Sequence, residues 1–141
     1  MKRLALLALI GFTLPAWADE ARIVSLGGSV TEIVVALGAA DRLVARDTTS
    51  TYPEAITALP DVGYVRALSP EGVLSVQPTL ILAEDGAGPP ETMEVLKAAG
   101  VDVQSMPGDP SADGVIAKIN AVAAALNLPA EGAKLASEVT A

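Results

Sequence analysis

Short apolar runs alternate with longer segments of helical spacing along most of this chain. The runs predict β-strands over residues 22–26, 43–45, 62–67, 79–83 and 101–103. Helical spacing or helix-start signals lie between and after them, at residues 29–37, 53–59, 69–71, 89–99, 112–127 and 130–141. The run over 79–83 is nearly all apolar, as expected where both faces of a strand are covered. This alternation predicts an α/β fold with a parallel sheet flanked by helices.

Residue types at the predicted helix starts agree with this division. Ser29 and Glu32 have the spacing of a capping box, with serine at the N-cap and glutamate three residues later. Ser69 and Pro70 form an N-cap serine followed by a proline at the first helical position. Within the helix predicted over 112–127, apolar residues recur at helical spacing and predict one buried face, comprising Val115, Ile119, Val122 and Leu126.

The first eighteen residues have a different pattern from the rest. Lys2 and Arg3 precede an uncharged run of 11 residues over 4–14, and Ala16-Trp17-Ala18 follows. A basic start, an apolar run of this length and an A-x-A site are typical of a secretory signal peptide. The run is too short to span a bilayer as a helix. We therefore predict cleavage after Ala18 and export to the periplasm.

Composition narrows the classes of function. The chain has 17 acidic and nine basic residues, and because Lys2 and Arg3 lie in the predicted signal peptide, the mature net charge is −10. This charge disfavours nucleic acid as a partner and repels an anionic membrane surface. The chain has no cysteine and no histidine, which excludes zinc-thiolate and iron–sulfur sites and a lipid-anchoring cysteine. These counts predict a soluble periplasmic protein.

Four predicted loops follow the carboxyl ends of strands, where open parallel sheets bind ligands, at residues 27–29, 47–51, 64–69 and 84–88. The glycine pair before Ser29 resembles a phosphate-binding turn, but it lacks the G-x-G-x-x-G spacing and a Walker lysine. Asp47, Glu84 and Asp85 are candidates for acid–base chemistry in a small exported hydrolase. Without a histidine or a nucleophile motif, solvated loop acids are the simpler interpretation.

Tyr64 and Arg66 are the other candidate functional residues on these loops. They lie two apart in a predicted strand, so their side chains are expected on one face. A guanidinium stabilises the phenolate form of a neighbouring tyrosine, and tyrosinate is a known axial ligand of haem iron. The spacing alone does not distinguish a ligand-binding pair from a half-buried tyrosine hydrogen-bonded to an arginine.

Three segments of the chain resemble the periplasmic haemin-binding proteins of bacterial haem ABC importers. They are RIVSLGGSVTEIVVALGAADRLVARDTTSTYPEA, LPDVGYVRALSPEGVLSVQPTLILAE and AKINAVAAAL, and together they cover nearly the whole mature chain. VTEIVVALGA and the region around QPTLILA fit a wider group that includes vitamin B12-binding and siderophore-binding proteins. ARDTTSTYP followed by LPDVGYVRALSPEG is similar to the haem branch of this group.

The resemblance implies a transport protein, not an enzyme, whose ligand is haem and whose partner is an inner-membrane ABC permease. It implies that Tyr64 is the axial ligand of haem iron and that Arg66 supports the tyrosinate by hydrogen bonding. Glu71 corresponds to the glutamate that docks onto an arginine of the permease, although an acid at this position also complements the helix dipole. A corrinoid or a ferric siderophore is the alternative ligand.

The resemblance also implies two α/β lobes joined by a long helix, with the ligand between them. On this basis residues 19–128 are the N-terminal lobe and residues 129–141 are the start of the joining helix. The second lobe is then absent from this chain, which we read as a fragment. Some members of the family use a histidine of the second lobe as a further axial ligand, and this chain has no histidine.

Overall fold

The computed structural model describes residues 20–141, and four short parallel strands form their centre. The strands are β1 Ile23–Leu26, β2 Leu43–Arg46, β3 Leu80–Ala83 and β4 Asp102–Ser105. Their order in the sheet is β2-β1-β3-β4, and every neighbouring pair is parallel. The predicted parallel α/β fold is confirmed. The predicted signal peptide, residues 1–18, lies outside the described residues.

Helices cover both faces of this sheet. They are α1 Gly28–Ala36, α2 Pro70–Leu74, α3 Pro90–Ala98, α4 Ala112–Ala125 and α5 Pro129–Val139, with 3₁₀ turns at Ala40–Arg42 and Glu54–Ala58. Helices α1, α4 and α5 pack on the face that carries Ile23. Helices α2 and α3 pack on the face that carries Val24. Within residues 20–141 none of the helices combines the length and the apolarity that a membrane crossing needs.

Side chains along the central strands alternate between the two faces of the sheet, and this alternation produces the two cores. All four residues of β1 and all four of β3 are buried, as predicted for the run over 79–83. Ile23 and Leu82 belong to one core, and Val24 and Ile81 belong to the other. Full burial of an aliphatic side chain contributes about 1.5–3 kcal/mol, so β1 and β3 anchor both layers. The edge strand β4 has no fully buried residue.

The predicted strand over 62–67 is wrong. In this region only Asp61 forms a bridge to Arg46, and the chain then leaves the sheet. Gly63 has φ +106°, in the region that favours glycine. A turn follows, in which the Ala67 amide donates to the Tyr64 carbonyl over 2.8 Å. Val62, whose amide still donates to the Arg46 carbonyl of β2 over 3.0 Å, and Val65 are both buried. Their burial is why the sequence resembled a strand.

Two predictions about helix residues are also wrong. Helix α1 begins at Gly28 with Gly27 at the N-cap and no side-chain cap, so Ser29 and Glu32 do not form a capping box. On α4, Val115 is 40% exposed instead of buried. The other three residues of its predicted face are buried: Ile119, Val122 and Leu126.

The start of α2 is as predicted. Ser69 is the N-cap, and its hydroxyl accepts a hydrogen bond of 3.1 Å from the Gly72 amide. Pro70 occupies the first turn, where a missing amide hydrogen costs nothing. Ser69 and Pro70 therefore determine where α2 begins after the turn at Tyr64.

The strand order places a ligand crevice between β1 and β3. From β1 the chain moves outward to β2 and then crosses back past β1 to β3. In open parallel sheets, ligands bind outside the carboxyl ends of the strands where the order reverses in this way. At this edge the chain leaves β1 at Gly27 and leaves β3 at Glu84.

Candidate functional site

A buried carboxylate holds two of the ligand-edge loops together. The Asp47 side chain follows β2 and has no exposed surface. Its Oδ1 accepts hydrogen bonds from the Gly27 amide at 2.9 Å and from the Ser50 hydroxyl at 2.6 Å. Its Oδ2 accepts from the Thr49 amide at 2.9 Å and the Thr49 hydroxyl at 2.7 Å. Asp47 is therefore not the solvated loop acid that the sequence suggested.

A row of hydroxyls leads from β1 to this carboxylate. Because ionised Asp47 only accepts, Ser50 donates to it and must accept from Thr31, 2.6 Å away. Thr31 in turn accepts from Ser25 at 2.7 Å. The polar side chains of this row are fully buried, and each finds a partner, as buried polar groups normally do.

These contacts set the charge state of Asp47. Burial alone would raise the pKa of Asp47, but the hydrogen bonds from Ser50, Thr49 and the Gly27 amide outweigh it and hold the pKa below its ordinary value of 3.8. A fully buried carboxylate that already accepts four hydrogen bonds has no free acceptor site that a substrate could reach. This argues against Asp47 as the acid or base of a hydrolase.

Glu84 lies over the exit of β1. A Cβ atom placed on Gly27 would collide with the Glu84 carboxylate. The glutamate therefore rests directly against the glycine, and its Oε1 is 4.0 Å from the Arg66 Nη2 atom. Gly27 also has φ +106°. Both the space and the backbone conformation at this position favour glycine.

We expect Gly27→Ala to destabilise the fold more than Gly63→Ala does. Both glycines have φ +106°, but nothing lies within 4 Å of a Cβ atom on Gly63. The backbone strain of each substitution is about 1–2 kcal/mol, and displacing Glu84 should add about 1 kcal/mol at Gly27. Urea unfolding of both variants measures the difference.

The matched control repeats both substitutions in a Glu84→Ala background. There the extra cost at Gly27 should disappear, because the colliding side chain is gone. An undiminished difference between the two glycines in that background would contradict the contact as its cause.

Asp61 fixes the loop that carries Tyr64. Its Oδ1 accepts from the Gly63 amide at 2.8 Å and from the Thr48 hydroxyl at 3.1 Å, and its Oδ2 lies 3.1 Å from Arg46 Nη1. The Thr48 amide donates to the Gly63 carbonyl over 3.0 Å. The loop is thereby attached to the exit of β2.

The next residues of this loop are attached to the exit of β3. The Gly88 amide donates to the Val65 carbonyl over 2.9 Å, and the Leu68 amide donates to the Gly88 carbonyl over 3.0 Å. Tyr64 therefore lies between two anchored points, both at the carboxyl edge of the sheet. Sequence reasoning missed Asp61, although an aspartate two residues before a glycine is a common turn signal.

Tyr64 and Arg66 both lie on this edge of the sheet, and their role as a ligand-binding pair stays a prediction. The Tyr64 side chain is 48% exposed, and within residues 20–141 no hydrogen bond reaches its phenol. Because the segment turns instead of extending, the alternation rule that placed the two side chains on one face does not apply. The charged partner of Arg66 is Glu84, at 4.0 Å.

Arg66 lines a polar cleft of about 320 Å³ at the switch point. The other lining residues are Glu84, Asp85, Gly86, Gly108 and Lys118. Two cations and two carboxylates thus share one cavity. Tyr64 does not line this cleft, and Asp85 is an exposed loop acid as predicted.

Three features of this region were missed from the sequence. The loop after β4, which carries Gly108, was not counted among the ligand-side loops. Lys118 is on α4, four residues from Gly114, and it reaches Ser29 Oγ at 3.0 Å. Tyr52, which precedes Pro53, is 69% exposed and lines an apolar groove beside Val115. For Lys118, the signal available in the sequence was a lysine among the apolar residues of α4.

Glu71 lies apart from this cleft, in the first turn of α2. Its side chain is exposed. Within residues 20–141 no group of three or more histidine, cysteine, aspartate or glutamate side chains is arranged to hold a metal ion.

A polar cleft at the switch point of a parallel sheet defines a ligand-binding α/β domain. Comparison with known proteins identifies its family. The sequence model of a protein family described as "periplasmic binding protein" matches residues 23–141. The chain belongs to the periplasmic binding protein family.

Relatives in this family bind different ligands. The periplasmic heme-binding protein RhuT from Roseiflexus sp. RS-1, solved in apo form, is 46% identical with a TM-score of 0.77, over 84% of this chain and 45% of that one. The heme-binding protein BhuT, solved with two hemes, is 44% identical with a TM-score of 0.80, over 84% and 46%. A vitamin B12-binding protein of Yersinia pseudotuberculosis is 38% identical over 104 residues, 73% of this chain and 37% of the relative. The chain thus spans less than half the length of these relatives.

Proposed function

We propose that this chain is part of a periplasmic haem-binding protein that delivers haem to an inner-membrane ABC importer. The observation that carries the proposal is Tyr64, an exposed phenol on a loop anchored at the ligand edge of the sheet. Tyrosinate is an established axial ligand of haem iron. The similarity to two solved heme-binding proteins supports this choice of ligand.

In this proposal Tyr64 binds the ferric iron and Arg66 stabilises the phenolate. Arg66 has only one charged partner within residues 20–141, Glu84 at the long distance of 4.0 Å, and its side chain is 57% exposed. A guanidinium held this weakly is free to turn toward a phenolate or a ligand, since an exposed pair contributes about 1 kcal/mol or less.

The proposal assigns residues 19–128 to the first of two lobes and residues 129–141 to the start of the helix that joins them. Helix α5 begins at Pro129, after the turn that ends α4, and its Leu135 packs on the core shared with α1 and α4. The second lobe would supply the opposite wall of the ligand site. Cleavage after Ala18 belongs to the same proposal.

A corrinoid is the second candidate ligand, because a vitamin B12-binding protein is among the relatives. A ferric siderophore belongs to the same group. Titrating the full-length protein with haemin and with cyanocobalamin distinguishes haem from a corrinoid as the ligand. Haem binding should produce a ferric spectrum of the tyrosinate type. Tight cyanocobalamin binding without any haemin spectrum would overturn the proposal in favour of the corrinoid.

We expect Glu71→Ala to weaken docking to the importer without changing haem affinity. Truncating one partner of an interfacial charge pair typically costs about 2–5 kcal/mol, so affinity for the importer should fall more than tenfold. Glu71 is exposed and does not line the polar cleft. Binding of the haem-loaded protein to importer in lipid nanodiscs, beside a haemin titration, provides the two measurements.

Glu91→Ala is the matched control. Glu91 also follows a proline in the first turn of a helix and is exposed, so its removal has the same effect on the helix dipole. Equal losses of importer affinity in both variants would contradict a specific docking role for Glu71.

A further inference from the structure

Lys118 differs from the other six basic residues among residues 20–141. Four of those six have a carboxylate partner: Arg46, Arg66, Lys97 and Lys134. Arg22 and Arg42 donate to backbone carbonyls, and neither of them lines the polar cleft. In the described part of the chain, the one recorded partner of the Lys118 ammonium is the Ser29 hydroxyl, at 3.0 Å. A hydroxyl does not neutralise an ammonium, so the charge of Lys118 remains available to an anion.

This ammonium lies where two cavities meet. Lys118 lines the polar cleft of about 320 Å³ together with Arg66 and Glu84. It also lines an adjacent groove of about 350 Å³, whose walls include Tyr52, Val115 and Ile33. The groove is apolar, and two of these three side chains are exposed large hydrophobic residues. Lys118 therefore stands between a charged surface and an apolar one.

This arrangement fits a ligand with an apolar surface and an acidic group at its edge. The other cation of the cleft, Arg66, has a carboxylate, Glu84, at 4.0 Å, and in the proposed function its guanidinium serves the Tyr64 phenolate. Asp85 adds a further negative charge, which disfavours an anion on that side. An acidic group entering the cleft therefore finds its least compensated cation at Lys118.

We propose that Lys118 binds a carboxylate side group of the ligand, while the neighbouring groove contacts the ligand's hydrocarbon surface. The inference rests on the proposed function and sharpens its ligand class. Haem is a flat apolar macrocycle with two carboxylate side groups, whereas the side chains around the ring of vitamin B12 are neutral amides. Lys118 is thus a residue that selects an acidic macrocycle.

The test compares haemin with haemin dimethyl ester on the full-length protein. Esterification removes the negative charges and leaves the ring and the iron unchanged. The wild-type protein should prefer haemin by about tenfold, the size expected for one charge-assisted hydrogen bond. Lys118→Met should bind both compounds with similar affinity, and Lys118→Arg, which keeps the positive charge, should restore the preference.

Lys97→Met is the matched control, because Lys97 already pairs with Glu94 at 2.9 Å. It should bind both compounds as the wild type does. All variants should keep the same ferric spectrum, since Tyr64 is intact. If Lys118→Met keeps the tenfold preference, the inference is overturned and the proposed function stands. If the wild type binds neither compound, the proposed function itself is overturned.

Discussion

Replacing Tyr64 with phenylalanine is expected to abolish the tyrosinate-type spectrum of the ferric haem complex. Phenylalanine keeps the ring and removes only the oxygen that would bind iron. Loss of a residue that merely supports a metal ligand already costs about 10- to 100-fold in affinity, so loss of the ligand itself should cost at least that. A haemin titration of the full-length protein, followed by absorbance, measures both quantities.

Tyr52→Phe is the matched control, since Tyr52 and Tyr64 are the two tyrosines of the chain. Tyr52 is the more exposed of them, at 69% against 48%. Its hydroxyl has no proposed bond to iron, and phenylalanine keeps the ring that lines the apolar groove, so this variant should keep the wild-type spectrum. A Tyr64→Phe protein with unchanged spectrum and affinity would refute the assignment of the iron ligand.

Folding stability serves as the check that the substitution acts locally. Within residues 20–141 the phenol makes no hydrogen bond, and the loop is held by backbone contacts of Gly63 and Val65 that the substitution leaves in place. Urea unfolding of the haem-free variant should therefore match the wild type within about 0.5 kcal/mol, as surface substitutions usually do. A loss of haem binding without a loss of stability separates ligation from misfolding.

The layers of the fold could be predicted because each depends on local patterns that agree with the final packing. The wholly apolar run of β3 requires cover on both faces, and the helices around it provide that cover. The prediction of a strand over 62–67 failed because apolar residues in a short run indicate burial, not strand pairing. Val62 donates its amide to the Arg46 carbonyl of β2 over 3.0 Å, but the pairing ends there, and Val65 is buried without a strand partner.

The candidate site could be predicted less well, because its geometry depends on contacts between distant segments. Gly27 and Asp47 are 20 residues apart, yet their hydrogen bond decides that the carboxylate is buried. Lys118 and Ser29 are separated by 89 residues. No local pattern encodes such pairs. The sequence did place the loop of Tyr64 and Arg66 at the carboxyl edge of the sheet, where its contacts with Thr48 and Gly88 hold it, although the predicted strand was wrong. The roles of the two side chains stay predictions.

Replacing Asp47 with asparagine is expected to destabilise the protein by roughly 2–4 kcal/mol near neutral pH. Asparagine has the same shape, but its amide nitrogen donates where Asp47 Oδ2 accepts from both the amide and the hydroxyl of Thr49. Two donors would then face a third at the Asp47 position, which has no exposed surface, although Thr49 itself is exposed. Leaving buried donors unsatisfied costs about 1–3 kcal/mol each. Urea unfolding at pH 7 measures the loss.

Asp85→Asn is the matched control, because Asp85 is an exposed aspartate on another ligand-edge loop. A surface substitution of this kind should change the free energy of unfolding by less than about 0.5 kcal/mol. An equal effect of the two substitutions would show that burial and hydrogen bonding of Asp47 are not the cause.

The difference between wild type and Asp47→Asn should also depend on pH in one direction. The pKa of Asp47 is lowered in the folded protein from its ordinary value of 3.8, so the unfolded chain binds the proton more readily. The stabilisation is therefore fully present above pH 3.8 and is lost as the pH falls through the folded pKa. Unfolding curves of both proteins should converge below pH 3.8, whereas a gap that widens on acidification would contradict an ionised Asp47 as the source of the stability.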